Sequence, residues 1–334
     1  MGSWLFKLTP GQIFRLDIIC NPHQIFKSIN RLMTQILNAQ QTAARLPWAG
    51  LVDEIALVLQ DTSVQVAPRL VQQLGSGASL FVMPAIDSHT VITKLITLTP
   101  ANAGTGRPAI QGDVIVFDIA TGERCLVLDG PTVTARRTAA VSVLAAQRLA
   151  CDTDGPMLIV GAGVQGRAHL EAFAAVLGTR QVMIASRSNT SAELLAQHAI
   201  SLGLKAQVVV DADTALQGCP LTVVCTPAKS IALNAMPRQD AFISAVGAFL
   251  PSMAELSPDL CQHIAIQGTV WLDTVDGALE AGDLMQAGLD LQGMSTLGDV
   301  VRQNTAKPTG PVLFKSCGWA GWDLAAARLA LRHG

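Results

Sequence analysis

Apolar positions change rhythm twice along this chain. Up to about Ala44 they recur at helical spacing, with Ile25, Ile29, Leu32 and Ile36 following Pro22, which predicts a mainly helical start. From residue 56 they form short runs, at 56–59, 79–83, 90–98, 113–118 and 124–128. Turn clusters such as Ser76-Gly77, Asn102-Ala103-Gly104 and Ala120-Thr121-Gly122 separate these runs. Strands at that spacing, with no helix between them, predict an antiparallel sheet. A helix then opens after Gly130-Pro131 and runs through an Ala/Leu/Val-rich stretch to about Ala150. Beyond it strand and helix patterns alternate. Strands are expected at 157–160, 182–185, 206–210, 221–225, 242–246 and 270–272, with helices between them, for example over 191–202. That alternation predicts a parallel, doubly wound sheet of the α/β class. Residues 323–331 read as a closing helix that folds back on the first domain.

The second change of rhythm carries the strongest motif. The run 157–160 ends in Gly161-Ala162-Gly163-Val164-Gln165-Gly166, and a helical pattern follows at once. Strand, G-x-G-x-x-G and helix in that order are the context in which the glycines mean dinucleotide binding. Gly161 permits the tight turn, Gly163 lets backbone approach a pyrophosphate, and Gly166 lets helix and strand pack closely. Val164 and Gln165 open the helix, whose free N–H groups suit phosphate.

Composition narrows the setting. The chain has 334 residues, half of them hydrophobic and 14% charged. The charged share is well below the roughly 25% usual in soluble domains, so some apolar surface is expected to be covered by a second subunit. A net charge of −2 points away from nucleic acid and from anionic membrane surfaces. The seven cysteines are dispersed without C-x-x-C spacing and read as reduced core thiols. Neither a metal-ligand spacing nor a G-x-S-x-G elbow is present, and the six histidines are isolated. The opening MGSWLFKLTPGQ shows no signal-peptide pattern, and no apolar run is long enough to span a bilayer, so a cytoplasmic protein is expected.

Candidate chemistry sits in two places. An NAD-type site carries an acid about 20 residues past the glycines, at the end of the next strand. Here that strand leads into Ser186-Arg187-Ser188. An arginine flanked by hydroxyls suits a 2′-phosphate, which predicts NADPH, with NADH as a weaker cofactor. Thr226 and Gly247 fall at carboxyl ends of later strands, where ligands bind in open α/β sheets. The first domain supplies Arg69, Lys94 and the pair Arg136-Arg137. Lys94 lies among apolar neighbours. It reads equally as a partly buried cation awaiting an anionic ligand and as a solvated edge-strand lysine. Asp273 and Glu280-Ala281-Gly282-Asp283 read as turn and helix-start residues.

Several stretches together resemble the ornithine cyclodeaminase/mu-crystallin family. They are Val82-Met83-Pro84, Thr93-Lys94-Leu95, Pro100-Ala101-Asn102, Leu128-Asp129-Gly130, Arg137-Thr138-Ala139-Ala140 and the glycine motif. Val246-Gly247-Ala248, Glu280-Ala281-Gly282-Asp283-Leu284, Leu297-Gly298-Asp299-Val300 and Phe314-Lys315-Ser316-Cys317-Gly318 follow in the family's order. The resemblance implies a Rossmann domain, 134–303, inserted in an α+β substrate and dimerisation domain, 1–133 and 304–334, whose antiparallel strands join a partner's in a homodimer. It implies that Arg69, Lys94 and Arg137 hold a substrate carboxylate beside the nicotinamide, with Lys94 as the catalytic group. Arg45 competes for the role of Arg69. Thr138 would contact cofactor phosphates, and Ser316 would face the ligand.

One departure directs the expected reaction. Where the family's cyclodeaminases carry an aspartate, and a lysine four positions later, this chain has Phe249 and Met253. Deamination needs a group that takes protons from the amine, and phenylalanine cannot serve. Reduction of a preformed cyclic imine asks only that the carboxylate be held, C2 be aimed at the nicotinamide and water be excluded. In that reading Phe249 packs against the substrate ring. The resemblance thus points to reduction of Δ1-pyrroline-2-carboxylate and Δ1-piperideine-2-carboxylate, small cyclic imino acids. Ornithine cyclodeamination, an oxidoreductase of alanine or N-alkyl amino acids, and a non-catalytic binder like mu-crystallin are the alternatives.

Overall fold

The computed structural model describes residues 34–102, 105–227, 230–303 and 306–333. Among them, two seven-stranded sheets organise the chain. The first comprises β1 (Gln35–Ile36), β2 (Gln65–Val66), β3 (Leu70–Gly75), β4 (Ala78–Ile86), β5 (Thr90–Leu98), β6 (Ile110–Asp118) and β7 (Arg124–Asp129). Its order is β1-β7-β6-β5-β4-β2, with β3 also paired to β4, and every pairing is antiparallel except β1 with β7. Alternation along β5 turns Ile92, Lys94 and Ile96 inward, while Val91, Thr93 and Leu95 face outward. Lys94 stands in register with Met83 on β4 and Val114 on β6. This places a cation in the middle row of the inner face.

The helix α3 (Gly130–Leu149) leaves this sheet directly from β7. Asp129 caps it by accepting the Thr132 N–H at 2.9 Å, and Pro131 fits the first turn. The inner face of the sheet is covered by α3 and by α10 (Ala320–Arg332), which also packs on α2 (Trp48–Gln60). Alanines make up much of α10, so it lies close and is buried nearly all round.

The second sheet is parallel throughout, in the order β10-β9-β8-β11-β12-β14-β13. Its strands are β8 (Met157–Val160), β9 (Gln181–Ala185), β10 (Lys205–Val209), β11 (Leu221–Val224), β12 (Phe242–Ala245), β13 (Thr269–Leu272) and β14 (Val312–Lys315). Central strands β8, β11, β12 and β14 are buried along their whole length, as expected where helices cover both faces. The connecting helices include α4 (Val164–Val176), α5 (Asn189–Ser201), α6 (Ala212–Leu216), α7 (Pro258–Gln267), α8 (Gly282–Gln286) and α9 (Leu297–Gln303).

Three expectations need correction. Residues 56–59 form the last turn of α2, not a strand. Leu51, Val52, Ile55 and Val58 fill the buried face, whereas Leu57 is 53% exposed, so the short apolar run hid a helical period. Ile36 lies in strand β1, followed by the short helix α1 (Ala39–Ala44). Pro22, Ile25, Ile29 and Leu32 lie outside the described residues. The sheet also disregards a division at residue 304, since β14 inserts between β12 and β13. A lysine at the end of a three-residue apolar run disguised that strand.

Candidate active site

The cofactor end is built first by backbone. Gly161 adopts φ of +116°, which L side chains rarely take, and a Cβ there would meet the Cys225 carbonyl oxygen at 2.7 Å. A Cβ on Gly166 would fall 2.0 Å from the Gly161 carbonyl oxygen, so only glycine lets α4 start this close to β8. Gly163 is the N-cap of α4 and supplies no side-chain cap, and a Cβ built on it would meet nothing within 4 Å. The first-turn N–H groups of Val164, Gln165 and Gly166 have no helical acceptor and open onto this space. These residues fit a dinucleotide: a pyrophosphate would meet free donors and a helix N-terminus, with no side chain in the way.

Thr138 is buried on α3, with its hydroxyl donating to the Thr134 carbonyl at 2.8 Å. At the end of β9 the three polar residues divide their work. Ser188 caps α5, accepting the Ser191 N–H at 3.2 Å, and Ser186 Oγ accepts the Ser188 N–H at 3.3 Å. Arg187 is exposed, and no ion pair or hydrogen bond to it is found among the described residues. Its guanidinium is therefore free for a ligand.

The candidate substrate end is built from charge. Lys94 Nζ lies 2.8 Å from Asp323 Oδ2 and 3.1 Å from Oδ1, and the two residues are 1% and 0% exposed. Arg137 Nε approaches the same carboxylate at 3.5 Å and has no hydrogen-bond partner among the described residues. Two buried cations thus share one carboxylate, leaving a positive charge in excess. A buried excess charge is costly unless a counter-ion arrives, which is the property of a carboxylate site. Burial pulls the Lys94 ammonium down to about 8, against the Asp323 carboxylate that raises it, with Arg137 and Arg69 lowering it further.

Arg69 is half-buried and ion-paired with Glu280, whose Oε1 accepts from Nε at 2.8 Å. Burial lowers its pKa; Cys317 and Asp273 oppose that shift, and Arg137 adds to it, which places Arg69 in the electrostatic reach of the same group. Arg45 is committed elsewhere, to Gln35 Oε1 at 2.6 Å and the Ala330 carbonyl at 3.4 Å. The loop beyond β14 completes the wall. Asp273 Oδ2 accepts from Ser316 Oγ at 2.8 Å, Cys317 N at 3.0 Å and Gly318 N at 2.8 Å. Ser316 is therefore buried with its hydroxyl held by Asp273, while Gly318 faces the Arg137 guanidinium, 3.2 Å from where its Cβ would stand. Phe249, half-buried in the loop after β12, packs against the hydrophobic cores on both sides of the parallel sheet.

Lys94, Arg137 and Arg69 come together, as do Gly161, Gly163, Val164, Gln165 and Gly166. Asp273 and Glu280-Ala281-Gly282-Asp283 do stand at turn and helix-start positions, Asp283 in the first turn of α8, but the sequence reading missed what their carboxylates hold: Asp273 and Asp283 are buried, and Glu280 holds Arg69. Asp323 carried a visible signal, an acid inside the otherwise apolar run from Trp322 to Ala327. A buried acid in a helix needs a cation, and Lys94 needed an anion.

Comparison with known proteins places the chain in a family. The model of the ornithine cyclodeaminase/mu-crystallin family matches residues 32–332. The chain is 36% identical over 301 residues to Δ1-pyrroline-2-carboxylate reductase 1 of Burkholderia multivorans, covering 89% of this chain and 95% of that one. It is 33% identical over 303 residues to the Δ1-pyrroline-2-carboxylate/Δ1-piperideine-2-carboxylate reductase of Azospirillum brasilense, covering 88% and 94%. Its fold is that of the Thermococcus litoralis Δ1-pyrroline-2-carboxylate reductase determined in complex with NADH and L-proline. That match has a TM-score of 0.82 at 23% identity, covering 90% of this chain and 98% of that one. With its sheet order, its glycine turn and a match running over nearly its whole length, the chain belongs to the ornithine cyclodeaminase/mu-crystallin family.

Proposed function

We propose that this protein reduces cyclic 2-carboxylate ketimines, converting Δ1-pyrroline-2-carboxylate to L-proline and Δ1-piperideine-2-carboxylate to L-pipecolate. The observation that carries the reading is the buried trio of Lys94, Arg137 and Asp323, an excess cation with no acid at position 249. A nicotinamide cofactor held at the Gly161–Gly166 turn would supply hydride to C2 of the ring. Arg137 and Arg69 hold the carboxylate by charge-assisted hydrogen bonds. Lys94, an acid of pKa about 8, delivers the proton to the ring nitrogen. Asp323 keeps that ammonium in place and charged. Phe249 gives the methylene side of the ring an apolar wall and offers no base for an amine. Steady-state rates with the two cyclic imines, set against pyruvate with ammonia or methylamine, test the reading. Open-chain pairs turning over faster would favour an alanine-dehydrogenase-like enzyme, and saturable binding of cofactor and ligand without turnover would favour a binder.

NADPH is the proposed cofactor over NADH, supported by the unpaired Arg187 between Ser186 and Ser188. A homodimer is the proposed assembly. Leu70, Val71 and Leu74 on β3 stand 56%, 40% and 52% exposed, with the outward Leu95 across the intervening β4, apolar surface that a second sheet would cover. Light scattering should return the mass of two chains, and a single-chain mass would refute the assembly. No helix among the described residues is long and apolar enough to cross a membrane.

A further inference from the structure

Glu255 is wholly buried beneath the loops that follow β11 and β12. Its Oε1 accepts from Thr226 N at 2.6 Å and Thr226 Oγ1 at 2.9 Å. Its Oε2 accepts from Gly247 N at 2.6 Å and Ala248 N at 3.1 Å. One carboxylate therefore ties together two loops that come from neighbouring strands of the parallel sheet. Gly247 is required for this approach, since a Cβ there would sit 2.4 Å from Glu255 Oε1.

The backbone of Glu255 is held as firmly as its side chain. Asp283 Oδ1 accepts the Glu255 N–H at 2.5 Å and the Leu256 N–H at 3.0 Å. The Glu255 carbonyl accepts from Ala232 N at 2.6 Å and Leu233 N at 3.1 Å. Asp283 is in turn fixed by Lys315, whose Nζ lies 2.6 Å from Asp283 Oδ2, both residues being shut off from water. Lys315 ends β14, immediately before the Ser316–Gly318 turn that packs on Arg137. A single buried chain, Lys315 to Asp283 to Glu255, thus runs from the substrate wall to the carboxyl ends of β11 and β12. Ligands of open α/β sheets bind at those ends.

The geometry points to Glu255 as a positioning residue for the nicotinamide end of the cleft. Four donors converge on two oxygens, an arrangement only a carboxylate satisfies. Each loop is oriented by its own oxygen, so the spacing between Thr226 and Gly247 is set by the width of one carboxylate. Glu255 touches neither substrate nor cofactor in this account and acts through the two loops. The inference rests on the nicotinamide-cofactor reading above.

Glu255→Gln tests it. The amide keeps the size of the side chain but has one acceptor oxygen, so one loop loses its acceptor and meets an N–H₂ group instead. Isothermal titration should show NADPH bound about tenfold more weakly, as expected when charge-assisted hydrogen bonds are lost. The same cofactor lacking nicotinamide, 2′-phospho-ADP-ribose, should bind within about twofold of wild type, because its contacts lie at the glycine turn and β9. Equal losses for both ligands, or no loss for either, would overturn the inference. If the variant does not fold, amide exchange in the wild-type, cofactor-free chain decides. Thr226, Gly247 and Ala248 should be protected there, and rapid exchange at all three would overturn it. Failure of the wild-type chain to bind NADPH would instead remove the cofactor reading itself.

Discussion

Lys94 and Asp323 form an ion pair of 2.8 Å that neither side chain shares with water, although 229 positions separate them. One sits mid-strand on β5 and the other in the first turn of α10. Burying such a pair seldom stabilises a fold relative to apolar residues of equal size. That a chain with this little charge commits two ions here, with Arg137 alongside, supports the proposal that they serve chemistry.

The pair makes activity and stability move in opposite directions above neutral pH. Lys94 titrates at about 8 in the folded chain against an ordinary value of 10.5. As a proton donor it is lost through that region, so kcat/KM for a cyclic imine should fall as pH rises past about 8. The unfolded chain still holds that proton between these values, so the contribution of this group to folding stability rises over the same interval. Asp323→Asn removes the carboxylate that raises the Lys94 pKa. The fall in rate should move to lower pH, and urea unfolding should show a loss of about 3–5 kcal/mol. A pH profile identical in wild type and variant would disconnect Lys94 from the proton.

The glycine turn predicts a contrast between two alanine substitutions. Gly166→Ala forces a Cβ against the Gly161 backbone, 2.0 Å from its oxygen, and should cost about 1–3 kcal/mol of stability along with cofactor binding. Gly163→Ala meets no protein atom within 4 Å and should leave the melting temperature nearly unchanged. Its methyl group would instead stand where a pyrophosphate approaches, weakening cofactor affinity tenfold or more, about 1.4 kcal/mol. Thermal melts and cofactor titrations on both proteins measure the contrast. Equal melting temperatures would show that the turn relaxes more readily than its geometry suggests.

Arg187 should choose between cofactors. Arg187→Asp replaces a free guanidinium with a carboxylate at the end of β9. NADPH affinity should drop by about a hundredfold, the scale of a lost charge-assisted bidentate contact, while NADH should be little affected. Parallel titrations with the two cofactors measure the ratio, and equal losses would make Arg187 a bystander.

Much of this architecture is legible in the residue pattern because each period has a clear physical cause. The alternating run of β5 and the fully apolar run of β8 had to be a half-buried and a fully buried strand. The glycine turn had to be a turn, since its φ and close contacts exclude side chains. Residues 56–59 misled because the end of α2 is apolar on both faces, leaving no period to read. Strand β14 escaped because its last residue is a buried lysine, which looks like a boundary when only the chain is considered. The same blind spot hid the site's anions. Asp283 and Glu255 are each held by groups away from them in the chain; only Asp323, an acid within an apolar run, carried a signal of its burial.

The most direct test of the account is to follow NADPH absorbance with the purified protein and Δ1-pyrroline-2-carboxylate or Δ1-piperideine-2-carboxylate while assaying for the amino acid formed. One L-proline or L-pipecolate should form for each NADPH consumed, with ornithine giving neither product. Unchanged absorbance with both cyclic imines, from a protein that binds NADPH, would contradict the account.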